Sequence, residues 1–229
     1  MGETKITVKI FSPLLKAFDD QVGRLYLKRD AFLNHIIKQE VPHLAEDMDG
    51  RRLSANARRY VSGQLKRMGT TTVNIVVDKE TADSLNDVIR RANMVRDAFL
   101  NRLIVFLRSS NALLKYLELP AMIVRSEFES LYEEMPTSPL AAIETVFGDP
   151  LYYLRLAADE RFKTGLYLLD LPPKLIGFSC FLEDAQVPGT KDHAARSRMV
   201  EEMMKELEAL ESDTPSGDAS VGQSAGEAK

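Results

Sequence analysis

Six residues near the start of the chain, Arg29-Asp30-Ala31-Phe32-Leu33-Asn34, return letter for letter 67 positions later as Arg96-Asp97-Ala98-Phe99-Leu100-Asn101. The same offset lays Ile6, Val8 and Ile10 on Val73, Ile75 and Val77, and Phe18, Val22 and Ile36 on Leu85, Ile89 and Leu103. Apolar character is kept where identity is not. A duplicated unit of roughly 35 residues signals modules that cannot bury their own apolar faces and must pack on each other. With two copies rather than an array, the pair is expected to fold together as one internal dimer.

Each copy can be parsed by its period. Residues 5–10 alternate polar and apolar, the mark of a strand with one wet face, and residues 72–77 repeat this less cleanly. After the first strand, Ser12 is placed to cap a helix with Pro13 in its first turn. Leu14, Phe18, Val22 and Leu25 follow at helical spacing, and this helix should end near Tyr26. A second helix carries Ala31, Phe32, Ile36 and Ile37 on one side, answered in the later copy by Phe99, Leu103 and Ile104. A two-stranded unit of this size is unstable alone, whereas two copies pairing their strands antiparallel would be stable.

Residues 4–37 and 71–107 resemble the ribbon-helix-helix family, to which the Arc and MetJ type repressors belong. The resemblance implies a fold that is mainly α with a two-stranded antiparallel β-ribbon, a tandem ribbon-helix-helix pseudo-dimer, followed by a mixed, mostly helical C-terminal domain. It also implies that side chains at alternate, outward ribbon positions read base edges in the major groove of DNA, which admits such a ribbon. These are Lys5, Thr7 and Lys9 from the first copy and Thr72, Asn74 and Val76 from the second. The chemistry agrees: lysine donates to guanine O6 and N7, asparagine holds adenine through two hydrogen bonds, and threonine or valine methyls pack on thymine. Pairing centred on the middle residues sets Thr7 opposite Asn74, Lys5 opposite Val76 and Lys9 opposite Thr72, so an asymmetric core site is expected. The plainer reading of such alternation is an ordinary solvated strand face.

In that family the second helix of each unit points its N-terminal amides at a phosphate. Lys28, Arg29 and Arg96 sit near those ends and are the implied phosphate contacts; a solvated helix turn is the plainer alternative. Relatives often carry a serine or threonine cap and an interhelix glycine. Here the caps fall on Lys28 and Val95 and the turns carry Tyr26 and Asn93, of which only Asn93 readily accepts a left-handed conformation.

Overall charge argues against a nucleic-acid protein, with a net charge of -4 and a pI near 5.5. That average hides an asymmetry: residues 1–110 hold 19 Lys and Arg against 13 Asp and Glu, a net +6, which leaves -10 on the remainder. Between Gly50 and Val77 lie Arg51, Arg52, Arg58, Arg59, Lys66 and Arg67 and no acidic residue. A helix from about Ser54 to Met68 in this connector would add phosphate contacts and salt dependence, or serve simply as a soluble linker.

The pattern divides the chain into a first unit at 1–44, a basic linker at 45–70, a second unit at 71–110, a C-terminal domain at 111–211 and a disordered tail at 212–229. The last helix of the second unit is expected to continue through Asn111 to Leu119. Helices are read at 121–135, 139–147 and 151–161, and short buried strands at 165–171 and 174–182. A charged helix over 194–210 carries Met199, Met203, Met204 and Leu207 on an apolar stripe, read as covering the chain's own core.

Enzymatic chemistry finds little support. Cys180 is the only cysteine, and His35, His43 and His193 form no ligand spacing with one another, so no catalytic residue, metal or cofactor is expected. Asp159, Glu160 and Asp192 read as solvated charges. No apolar run reads as a signal peptide or membrane span, and the resemblance implies a protein of the bacterial cytoplasm. The expected partner is double-stranded DNA, with self-association or a protein partner through the C-terminal domain. The function expected first is a sequence-specific transcriptional regulator; the alternatives are an accessory DNA-binding protein of a conjugative relaxosome and an antitoxin-like module.

Overall fold

The computed structural model describes residues 2–119 and 148–212, and in the last helix it describes side chains only as far as Met204. The expected helices at 121–135 and 139–147 and most of the proposed tail lie outside the described residues. The described chain is mostly helical with one two-stranded antiparallel sheet.

β1 (Glu3–Phe11) leads into α1 (Ser12–Arg24) and α2 (Arg29–Asp47). α3 (Ala55–Met68) crosses to β2 (Thr70–Asp78), and α4 (Lys79–Arg91) and α5 (Arg96–Arg108) repeat the first half. The strands pair within one chain, with Thr7 opposite Asn74, Lys5 opposite Val76 and Lys9 opposite Thr72. Because Thr7 and Asn74 are also separated by the repeat offset of 67, the local pseudo-twofold passes through this pair. Both ends of the ribbon close by repeat-equivalent bonds: Ser12 N donates to Gly69 O at 3.2 Å, and Lys79 N donates to Gly2 O at 2.8 Å.

The inner face of the ribbon, Ile6, Val8, Ile10, Ile75 and Val77, is buried, each side chain contributing about 1.5–3 kcal/mol. α1 adds Leu15, Phe18 and Val22, and α4 adds Leu85 and Val88. α5 is buried on every side from Ala98 through Phe106, a stretch that is apolar except for Asn101 and Arg102.

The repeated hexapeptide explains its own identity. Asn34 Oδ1 accepts from Asp78 N at 2.9 Å, and its counterpart Asn101 Oδ1 accepts from Phe11 N at 2.8 Å. Each copy's second helix thus satisfies the backbone donor where the other copy's strand turns into a helix, a group that would be costly to bury unpaired.

Several expectations are corrected. Ser12 does not cap α1, since the cap position is Phe11; the Ser12 hydroxyl instead pairs with Thr71 Oγ1 at 2.7 Å, across the ribbon. Both interhelix turns are left-handed, at φ 57° for Tyr26 and 53° for Asn93. Tyr26 therefore adopts what only Asn93 was expected to accept, at a cost of order 1–3 kcal/mol. α5 does not run on to Leu119: Ser109 turns left-handed at φ 40°, and Ser110 caps a separate short helix, α6 (Asn111–Tyr116), accepting from Leu113 N at 3.3 Å.

Residues 165–171 and 174–182 are turns and a single 3-10 turn at Ile176–Phe178, not strands. Their apolar density was real, because Leu166, Tyr167, Leu169, Leu171, Phe178, Cys180 and Leu182 are buried. What they lack is a neighbouring strand; their backbone follows α2, α3 and α5. With α7 (Tyr152–Phe162) they join the same apolar cluster as the ribbon and its helices. α8 (Lys191–Ser212) departs furthest from expectation: Met199, Val200, Met203 and Met204 are all about half exposed or more, so this part of its stripe does not cover the core.

Candidate nucleic-acid interface

Alternation along β1 and β2 turns one row of side chains out while the other enters the core. Lys5, Thr7, Lys9, Thr72 and Asn74 are exposed, and Val76 is half-buried. The structure brings all six to one face of one ribbon. Its centre is ordered from within: the Thr7 hydroxyl donates to Asn74 Oδ1 at 2.8 Å. This fixes the amide plane and leaves both Asn74 N–H groups and one oxygen lone pair available, the donor and acceptor set that an adenine edge accepts. Cations stand only on β1, so the face is polar in direction as well as in chemistry.

The helix starts flank the ribbon. Asp30 Oδ2 accepts from Val76 N at 3.1 Å, bringing the N-terminus of α2 against β2. Arg96 Nη2 donates to Thr7 O at 2.7 Å, bringing the N-terminus of α5 against β1. Both N-caps, Lys28 and Val95, provide no side-chain bond to the helix that follows. Lys28 is exposed. Arg29 is held by Asp30 at 2.9 Å and Asp19 at 3.6 Å, and Arg96 also reaches Asn86, the repeat equivalent of Asp19, at 3.3 Å. These two arginines therefore tie the second helix of each unit to its first, and the Arg29 charge is already offset by two carboxylates.

The basic connector does not act as one patch. α3 is capped by Ser54, whose hydroxyl accepts from Ala57 N at 3.0 Å, and buries Ala57, Val61 and Leu65. Arg51, Arg52 and Arg58 gather at the α4–α5 turn, where Arg58 Nη1 donates to Asn93 Oδ1 at 2.7 Å. Arg59 and Arg67 instead line a groove shared with Asp184 and Asp192, and Lys66 is exposed at the end of α3.

Sequence reasoning missed a buried polar network between the helical repeats and the C-terminal segment. Glu40 on α2 accepts from the Tyr167 hydroxyl at 2.7 Å and pairs with Arg155, which also holds Asp149. Arg102 on α5 is fully buried and donates to Leu166 O at 2.8 Å and Leu169 O at 2.5 Å, with its guanidinium 5.1 Å from the Phe106 ring centroid. Burial pushes the Arg102 guanidinium below its ordinary value, and burial together with Glu40 raises the Tyr167 hydroxyl well above its own. The available signal was an arginine inside the otherwise apolar run of α5.

Among the described residues no group of three metal-ligating side chains comes together, and no helix is long and apolar enough to cross a membrane. Comparison with protein-family models, curated proteins and solved structures finds no match to this chain.

Proposed function

We propose that this chain is a sequence-specific regulator of double-stranded DNA, folded as a tandem ribbon-helix-helix pseudo-dimer that inserts β1 and β2 into the major groove. The observation that carries this reading is the register. It gathers two lysines, two threonines and an asparagine on the exposed face of a ribbon whose other face is sealed into the core. A two-stranded ribbon of this kind fits the major groove, and these side chains complement guanine, adenine and thymine edges. Thr7 and Asn74 meet the central step, while Lys5 and Lys9 meet bases to either side. One chain supplies both strands, so one chain occupies one core site.

Groove interference tests this. Methylating guanine N7 in a duplex selected from a random pool should block binding at the positions read by Lys5 and Lys9, whereas a minor-groove ligand should leave binding intact. The opposite pattern contradicts major-groove reading. The exposed methionine face of α8 supports a protein-partner role for the C-terminal segment alongside DNA binding.

A further inference from the structure

The pseudo-twofold repeats the ribbon but not what stands beside it. At the second interhelix turn the connector is pinned in place: Leu53 N donates to Ala92 O at 2.9 Å, Asn93 Nδ2 donates to Leu53 O at 2.8 Å, and Arg58 reaches Asn93. Those bonds hold Arg51 and Arg52 in one hollow with Arg91 at the end of α4, and Arg58 at the turn that follows it. The carboxylates there are Asp87, which takes Arg90 at 2.6 Å and Arg91 at 3.0 Å, Asp49 in the same hollow, and Glu183 at 3.8 Å from Arg51. Among the described residues Arg52 and Arg58 meet no carboxylate.

Among the described residues nothing covers the equivalent first turn. Leu25, Tyr26 and Leu27 are exposed there, Tyr26 at 96 %, and its cations are Arg24 and Lys28, since Arg29 is committed to Asp19 and Asp30. Both turns lie beside the ribbon, because the helices that follow them touch its strands. A duplex seated on the ribbon would therefore meet a dense cationic shoulder on one side and an apolar, weakly charged one on the other.

Resting on the DNA-reading proposal, we propose that the bound duplex is gripped on one flank only, by Arg51, Arg52 and Arg58 on the phosphate backbone beyond the second turn. The lysines of β1 give the core a direction, so the two flanks can be told apart. Along one strand phosphates follow one another at about 3.4 Å of helix axis, a spacing that lets three neighbouring arginines reach separate groups.

The test uses the full chain and a duplex selected from a random pool, shortened on one flank or the other. Shortening the gripped flank should weaken binding about tenfold and shortening the other should change it little. The combined variant Arg51→Ala, Arg52→Ala, Arg58→Ala should lose that difference, and its salt slope should fall by about 2 to 3. The corresponding lysine variant, which keeps the charges, should retain the one-sided dependence. Equal losses on both flanks, or one-sided dependence unchanged in the alanine variant, would overturn the proposal. Failure of every selected duplex to bind removes DNA reading itself, whereas binding with symmetric flanks removes only the one-sided grip.

Discussion

Among single residues, Asn74 carries the most weight. Its oxygen is steadied by Thr7 and its side chain is exposed, so Asn74→Ala removes the proposed base contact together with its internal support. Affinity for the preferred site should fall by about 1–3 kcal/mol with a blurred preference, while Arg58→Ala should weaken full-length duplexes of every sequence about equally. Titrations against selected and random DNA separate the two. Thr7→Val keeps the shape but frees Asn74 to rotate, and should lower the preference at the same position less than Asn74→Ala does. The alternation of 5–10 was enough to find this face. The roles of Arg29 and Arg96 were not legible, because their partners Asp19, Asn86 and Thr7 become neighbours only when the helices fold back on the ribbon.

At the scale of elements, the two asparagine clamps are the joints of the duplication. Asn101 is fully buried and bonds Phe11 N, Lys9 O and Asp97 O. Asn101→Ala leaves Phe11 N and Lys9 O without this partner and should destabilise the chain by about 1–3 kcal/mol, read by denaturant unfolding. Asn34→Ala, at a half-exposed equivalent, should cost less. Apolar spacing predicts where an element lies but not where it stops, so α5 was extended past Ser109, whose left-handed turn has no strong sequence marker. The hexapeptide held a hint, since its asparagine keeps the same hydrogen-bonding task in both copies.

Over the whole molecule, the C-terminal segment is fastened to the repeats by charge and hydrogen bonds that no local pattern announces. Glu40→Gln removes one of the two anionic partners of Arg155 at a site 1 % exposed, and because Asp149 remains it should destabilise by about 1–3 kcal/mol. Asp47 accepts from Tyr167 N at 2.8 Å, and burial, above all, raises its carboxyl. A raised folded value means that its contribution to stability is complete below the ordinary carboxylate range and is lost as pH rises through the raised value. Asp47→Asn should therefore gain on the wild type between acid and neutral pH, as seen in unfolding curves at both. Gly165 is packed so closely on Asp47 that an added Cβ would displace the carboxylate, and Gly165→Ala should destabilise the chain through loss of the Asp47 bond to Tyr167 N. The buried segments at 165–182 were legible as core but not in form, because burial makes turns and strands equally apolar.

Base reading by the ribbon is tested most directly by selecting bound duplexes from a random pool with the wild type and with Asn74→Ala. The expected result is a directional, non-palindromic core motif for the wild type that degrades at its centre in the variant. A motif unaltered by Asn74→Ala, or no enriched motif at all, would contradict it.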